Sequence, residues 1–286
     1  MTEPHAISKS HYTSFQELLD AHLADLQMRF GMALWMVARR HGDELILLRL
    51  RDGHYGLQRG ERLCWQHTYC CRMMENGAPT VVADTRDEPA YQSAPINQQL
   101  DIGAYIGLPL TDHKQRFFGT LCALNPSPVE PTLLEQHSAL EHQARLISFL
   151  LGNALSDLKH QRITDFIEQP HRCEQTGLLN ETGWQEVIRQ ERRRCRDFGL
   201  AAVVMRLQGP TDGDPVVIAD SLAALLREQD SICHHGGNGF SVLLCETDAD
   251  QAPPIANRIR DALNAKQLLV RVSTSALDQG APPLNE

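Results

Sequence analysis

The chain has 286 residues, 42% hydrophobic and 22% charged, enough for two ordinary domains with cores of their own and typical of a soluble globular protein. A net charge of -9 argues against a nucleic-acid surface as the main function, and no nucleic-acid partner is expected, although a small basic pocket for a phosphate ligand stays open. No apolar run reaches the length that crosses a bilayer, and the first twelve residues lack the apolar core of a signal peptide, so no membrane partner is expected and the cytoplasm is the expected location.

Residues 1–12 read as a tail. From Ser14 an amphipathic helix is expected, with Phe15, Leu18, Leu19, Leu23, Leu26 and Phe30 recurring at intervals of roughly 3–4 residues, and Gly31 ends it. Residues 32–37 and 45–50 read as strands around a polar turn, and residues 63–74 as a helix. Residues 80–83 form a short strand ending at Asp84. A long loop with Pro89, Tyr91 and Pro95 leads to two further strands, 104–110 and 117–124, joined by a polar hairpin at 112–116. The prolines at 126 and 128 close this unit, since proline donates nothing to a ladder.

Eight cysteines (64, 70, 71, 122, 173, 195, 233 and 245) are scattered without paired spacing, which argues against a disulfide framework. Cys64, His67 and Cys70 or Cys71 lie at helical spacing and offer metal-ligand chemistry. Cysteine more often packs as a small hydrophobe, and that is the reading preferred here, so no metal site and no cofactor are expected.

The order of these elements resembles a GAF domain over residues 13–152. The most specific pieces are Tyr105-Ile106-Gly107-Leu108-Pro109-Leu110 and Gly119-Thr120-Leu121-Cys122-Ala123-Leu124-Asn125-Pro126, with Tyr69-Cys70, and Asp84 followed by Pro89, in support. The resemblance implies an antiparallel sheet flanked by helices and a sensor role. It implies a pocket for an unknown small molecule around Trp65, Tyr69, Cys70, Asp84, Tyr91 and Tyr105. Set against it, buried aromatics are mostly packing, with Asp84 capping its loop.

Residues 133–169 read as one long helix. Leu133, Leu140, Ile147, Leu151, Leu155 and Leu158 recur along it at intervals of three, four and seven, a stripe that points to a homodimer. His137, Arg162 and Asp165 interrupt the seam, and the first half is expected to pack on its own sheet. Residues 153–170 are the linking helix, and Pro170 marks the boundary.

Residues 171–278 form the second domain, with 279–286 as a tail. A helix is expected from Trp184 to Arg196, with Arg192-Arg193-Arg194 on a solvated face, then a strand at 200–207. After an apolar helical lead (Ile218, Leu222, Leu225, Leu226) come charged residues, two adjacent glycines and Phe240-Ser241-Val242-Leu243-Leu244. Glycines between apolar runs signal a hairpin, because they reach the positive φ angles of tight two-residue turns. A helix at 254–263 and a strand at 268–275 finish the domain.

Gly236-Gly237-Asn238-Gly239-Phe240 resembles a decayed Gly-Gly-Asp/Glu-Glu-Phe signature of GGDEF domains, the diguanylate cyclase family. Arg227-Glu228-Gln229-Asp230 matches the family's Arg-x-x-Asp motif, at the usual distance from the glycines. Thr176-Gly177-Leu178-Leu179-Asn180 resembles the segment that opens these domains, with Glu181 where Arg is usual and Trp184 where Phe is usual. Ala256, Arg258, Ile259 and Arg260 fit a later segment.

In active members the acidic third position holds a metal ion and the following Glu is needed for catalysis. Here those positions are Asn238 and Gly239. Arg206, or Gln208, stands where the family's metal-binding Asp ends its strand. The 209–214 segment is too short for the nucleotide loop and its helix, leaving Asp212 or Asp214 as a remnant of the guanine contact. Two-metal phosphoryl chemistry needs hard oxygen ligands, so cyclase activity is not expected.

The retained Arg-x-x-Asp implies binding of cyclic di-GMP by Arg227 and Asp230, with His234 and His235 nearby. Arginine suits bidentate contact with phosphate or a guanine edge. The plain alternative is an Arg-Asp ion pair at a helix end. The expected protein is thus an α+β GAF sensor joined to a catalytically dead, trimmed GGDEF-like α/β domain that reads cyclic di-GMP and signals to a protein partner. The competing expectation is a ligand-free dimeric scaffold regulating a partner.

Overall fold

The computed structural model describes residues 14–277, so both predicted tails lie outside the described residues. The described residues form two compact units, the first ending at Ala154 and the second beginning at Leu155.

In the first unit, helix α1 (Phe15–Phe30) is capped by the Ser14 side chain and closed by Gly31 at a positive φ. Strands β1 (Leu34–His41), β2 (Glu44–Asp52) and β3 (Arg62–Cys64) follow, then α2 (Tyr69–Asn76), β4 (Val81–Val82), a single-turn α3 (Pro89–Gln92), β5 (Ala104–Thr111) and β6 (Phe117–Asn125). They build an antiparallel sheet in the order β3-β2-β1-β6-β5-β4. Its central strands are buried on both faces, which is why they read as near-continuous apolar runs rather than alternating ones.

Two expectations are corrected here. The helix expected at 63–74 starts only at Tyr69, where the Thr68 hydroxyl accepts the Cys71 N–H. Residues 62–64 instead extend the sheet edge beside β2, because edge pairing and the Thr68 cap outweigh a weak local helical pattern. The long loop at 85–103 holds α3 and single 3-10 turns.

Helix α4 (His137–Glu168) runs for 32 residues after a 3-10 turn at Pro131–Gln136. Leu133, Leu140, Ile147, Leu151 and Leu158 are buried within the single chain. In its first half, Ser148 Oγ accepts the Thr111 N–H at 3.1 Å, and Gly152 lies against the backbone of His113. The stripe read as a dimer seam is therefore mostly spent on the chain's own packing. Leu146 and Phe149 are the large apolar groups that α4 exposes in this unit.

The second unit contains α5 (Glu181–Phe198), β7 (Ala202–Gln208), α6 (Pro215–Leu225), β8 (Ser231–His234), β9 (Gly239–Cys245), α7 (Ala252–Asn264) and β10 (Arg271–Ala276). The strand order is β10-β7-β9-β8, each neighbouring pair antiparallel. Val203, Met205, Leu207, Phe240, Val242 and Leu244 form one face with Ile218 and Leu222 of α6 and Ile259 and Leu263 of α7. Helix α5 buries Trp184, Val187, Ile188, Cys195 and Phe198 and packs along β8.

The Arg192-Arg193-Arg194 run is only partly a solvated face. Arg193 is exposed, whereas Arg194 is mostly buried, pairing with Asp165 and, at 3.5 Å, with Glu191. Arg162, which broke the expected seam, is 3% exposed. It grips the fully buried Glu191 with two bonds of 2.8 and 3.0 Å and reaches Glu246 at 2.5 Å. Burial works against the Arg162 charge, but the two carboxylates overcome it and hold its pKa above the ordinary arginine value.

Candidate functional site

The predicted sensor pocket is a packed core. Tyr69 and Tyr91 stack with ring centres 4.4 Å apart, and Tyr105 meets both edge-on at 5.3 and 5.2 Å. Each hydroxyl is satisfied: Tyr69 donates to Asn97 at 2.6 Å, Tyr91 to the Pro79 carbonyl at 2.5 Å, and Tyr105 to the Cys70 sulfur at 3.5 Å. Gly107 leaves the space that the Tyr105 ring occupies. The cavity beside Tyr69, Cys70 and Tyr105 measures about 20 Å³, room for about one water.

Trp65, Asp84 and Tyr91 do not line this cavity. The Trp65 indole N–H donates to Glu75 at 2.7 Å, with the Arg40 guanidinium 4.6 Å above its ring. Asp84 caps its own turn and pairs with Arg86. Cys70 sits 3.0 Å from Cys122; that contact draws the Cys70 thiol down, and burial pushes Cys122 up. Cys64 is exposed while Cys70 and Cys71 are buried, and no metal-ligand group converges there among the described residues.

The second unit carries the signature. Strands β8 and β9 pair from Ser231↔Leu243 to His234↔Phe240. They are joined by a loop over 235–238, longer than the expected two-residue turn, with Gly236 and Gly237 at φ of 93° and 54°. The difference traces to Asn238. Its side chain is buried and its amide donates to the Pro210 carbonyl and, at 2.9 Å, to the Gly213 carbonyl. Its own carbonyl accepts the Gly209 N–H at 2.8 Å.

Asn238, which the resemblance aligns with a metal-holding acid, thus stitches the 209–214 loop to the hairpin. Gly209 permits this contact, since a Cβ there would meet Ile218 and Asn238. Asp214, one of the two suggested guanine remnants, caps α6 through the Val216 N–H. Arg206 is exposed on β7. It lines a surface pocket of about 540 Å³ with Gln208, Gly239 and Arg271. A guanidinium and an amide aimed at carbonyls do not fit a magnesium site, which needs hard oxygen donors.

Asp230 is 7% exposed, and its two oxygens accept the backbone N–H groups of Arg227 (3.2 Å) and Cys245 (3.1 Å). Its own N–H donates to the Arg227 carbonyl at 2.9 Å. Burial raises its pKa, and these backbone donors oppose the rise. Arg227 is exposed, and its guanidinium makes no hydrogen bond or ion pair with the described residues. The two side chains do not form the simple ion pair. Asp230 shapes a turn that leaves Arg227 free.

Sequence reading missed a side-chain cluster built by the opening segment. Leu179 pairs with β8 through its N–H to the Ile232 carbonyl (3.2 Å) and its carbonyl to the His234 N–H (2.9 Å). This pairing brings Cys173 and Glu181 to the two histidines. Cys173 Sγ lies 3.1 Å from His234 Nδ1, while His234 Nε2 meets the Gly237 carbonyl at 2.8 Å and its ring stacks on Phe240. Burial opposes the Cys173 thiolate, yet the His234 contact and the Thr176 and Gln175 backbone draw its pKa to about 7. His235 is held at 2.7 Å on each side, by Glu181 through Nδ1 and by Ser241 through Nε2. The signal in the sequence was the adjacent His234-His235 pair following Cys233.

Residues 14–155 match the GAF domain family. The diguanylate cyclase DgcP of Pseudomonas aeruginosa is 29% identical over 167 residues, covering 54% of this chain and 22% of that protein. The probable diguanylate cyclase DgcC of Escherichia coli is 27% identical over 129 residues, covering 38% of this chain and 33% of that protein. The chain thus spans between a fifth and a third of the lengths of these curated relatives. The solved structure of the diguanylate cyclase SiaD in complex with its activator SiaC, from Pseudomonas aeruginosa, aligns with 50% of this chain and 64% of its own. That match has 24% identity and a TM-score of 0.36.

Proposed function

The chain carries a GAF domain over residues 14–155 followed by a GGDEF-like domain, and from that premise we propose a catalytically inactive signalling protein that reads cyclic di-GMP through Arg227. The observation that carries the loss of catalysis is Asn238. Its amide donates to two backbone carbonyls, so the position where an acid would hold a metal secures a loop instead. Arg206 adds a cation where the family's strand ends in an acid, and a cation repels Mg²⁺. The receptor role rests on the exposed, unpaired Arg227 held on the turn that Asp230 shapes. In this reading Arg227 is the ligand contact and Asp230 the positioning residue.

A second reading is an interaction scaffold with both domains ligand-free. It is favoured by the closed tyrosine core and by a groove of about 720 Å³ on the first unit, lined by Leu108, His113, Ala144 and the exposed Phe149. Calorimetric titration of cyclic di-GMP into wild type and Arg227→Ala separates the two. Micromolar binding that disappears in the variant supports the receptor. Equal heats for both proteins, or none for wild type, remove it and leave the scaffold. Incubation with GTP and Mg²⁺ is expected to yield no cyclic di-GMP, and turnover by pure protein would overturn the inactive assignment.

A further inference from the structure

We propose that Glu181, Cys233 and His235 form a site for a borderline-soft divalent cation, zinc first, joining the start of α5 to the β8–β9 hairpin. The site uses none of Arg227, Asp230 and Asn238, and it does not depend on the cyclic di-GMP reading.

The donor set carries the choice of ion. A thiolate, an imidazole and a carboxylate together suit zinc, whereas magnesium and calcium take oxygen ligands almost throughout. The geometry agrees. One ligand atom from each residue lies within 4.8 Å of the other two. Cys233 Sγ is 3.7 Å from His235 Nδ1, and zinc bonds of about 2.3 Å to sulfur and about 2.05 Å to nitrogen at a tetrahedral angle place these atoms about 3.6 Å apart. Glu181 Oε2 is 2.7 Å from the same nitrogen, closer than the roughly 3.3 Å of a shared zinc. Its side chain is 61% exposed, so a rotamer change opens that gap.

The imidazole ring is held in place from both nitrogens. In the empty site the Glu181 carboxylate accepts the Nδ1 proton at 2.7 Å; metal binding displaces that proton, and an Nε2 proton donated to Ser241 Oγ at 2.7 Å then leaves the Nδ1 lone pair for the metal, the outer-shell arrangement usual for ligating histidines. Cys233 pairs with Ser241 in the sheet, and the His235 N–H bonds the Gly239 carbonyl at 2.9 Å, so thiol and imidazole share one rigid frame. Glu181 is the first residue of α5, whose start is fixed by the Asn180 cap. Glu181 and His235 also line the pocket of about 540 Å³, from which a water can take the fourth position. A bound ion would clamp the signature hairpin to α5.

The test uses the full chain, purified reduced and metal-free, titrated with Co²⁺ and then Zn²⁺. Wild type is expected to bind one equivalent of cobalt with a tetrahedral d–d band and a sulfur-to-cobalt charge-transfer band, both erased by one equivalent of zinc. Cys233→Ala is expected to lose the charge-transfer band, and both Cys233→Ala and His235→Ala to bind zinc at least roughly 100-fold more weakly. Glu181→Gln, on an exposed side chain, keeps the fold and is expected to weaken binding roughly 10-fold. Cys173→Ala, the neighbouring thiol, is expected to change nothing. A folded wild type with no cobalt spectrum overturns the proposal. So does a spectrum that survives in His235→Ala and Glu181→Gln, or one that Cys173→Ala abolishes.

Discussion

Asn238→Asp restores the acidic residue type of the signature and tests whether the position still belongs to a metal. The Asn238 amide nitrogen donates to the Pro210 and Gly213 carbonyls while 7% exposed. An aspartate cannot donate when ionised and would face both carbonyl oxygens with negative charge. Two neutral hydrogen bonds contribute about 1 kcal/mol each, and the carbonyls left without donors add a desolvation penalty of similar size, so the domain is expected to lose about 3 kcal/mol. For a unit of this size that lowers the unfolding midpoint by about 10 °C. Differential scanning calorimetry of the full chain reads it: the transition of the second unit should fall while that of the GAF domain stays. The variant should also make no cyclic di-GMP from GTP and Mg²⁺. An unchanged midpoint, or Mg²⁺-dependent turnover, would refute the reasoning that Asn238 is a structural staple.

Arg162→Ala removes the two short bonds to the buried Glu191 and leaves it only the 3.5 Å contact with Arg194. Breaking such a pair from one side is expected to destabilise the second unit by about 3–5 kcal/mol in urea unfolding, and a change under 1 kcal/mol would show that the pair is not buried in solution. Cys173, drawn to about pH 7 against its burial by His234 and the Thr176 and Gln175 backbone, becomes more thiolate as pH rises through that value. Its alkylation rate, followed by peptide mass spectrometry, should rise with a midpoint near 7 in wild type and move toward about 8.5 in His234→Ala; a wild-type midpoint already at 8.5 would discount the His234 contact.

Much of the architecture was legible in the sequence. The GAF order of elements, the long α4 and the β8–β9 hairpin follow from apolar periodicity and glycine placement, and these are local properties of the chain. That Asn238, Gly239 and Arg206 stand where the resembled signature carries acids was equally legible, because residue identity needs no coordinates. The helix expected at 63–74 was misplaced because its first residues pair with β2, a partner that a local window does not contain.

The sequence by itself determined the family resemblance, the two-domain order and which residues stand where the resembled signature has acids, since each depends on residue type and spacing along the chain. Only the tertiary structure decided what the remaining side chains do. Asp230 turns onto backbone N–H groups of Arg227 and Cys245, and the three tyrosines fill the core of the first unit. Leu140, Ile147, Leu151 and Leu158 of α4 are spent inside their own chain, and Glu181 meets Cys233 and His235. These outcomes rest on partners tens of residues away, where burial requires every polar group to find a donor or acceptor. Which partner that is depends on how the chain returns on itself, not on the residues beside it.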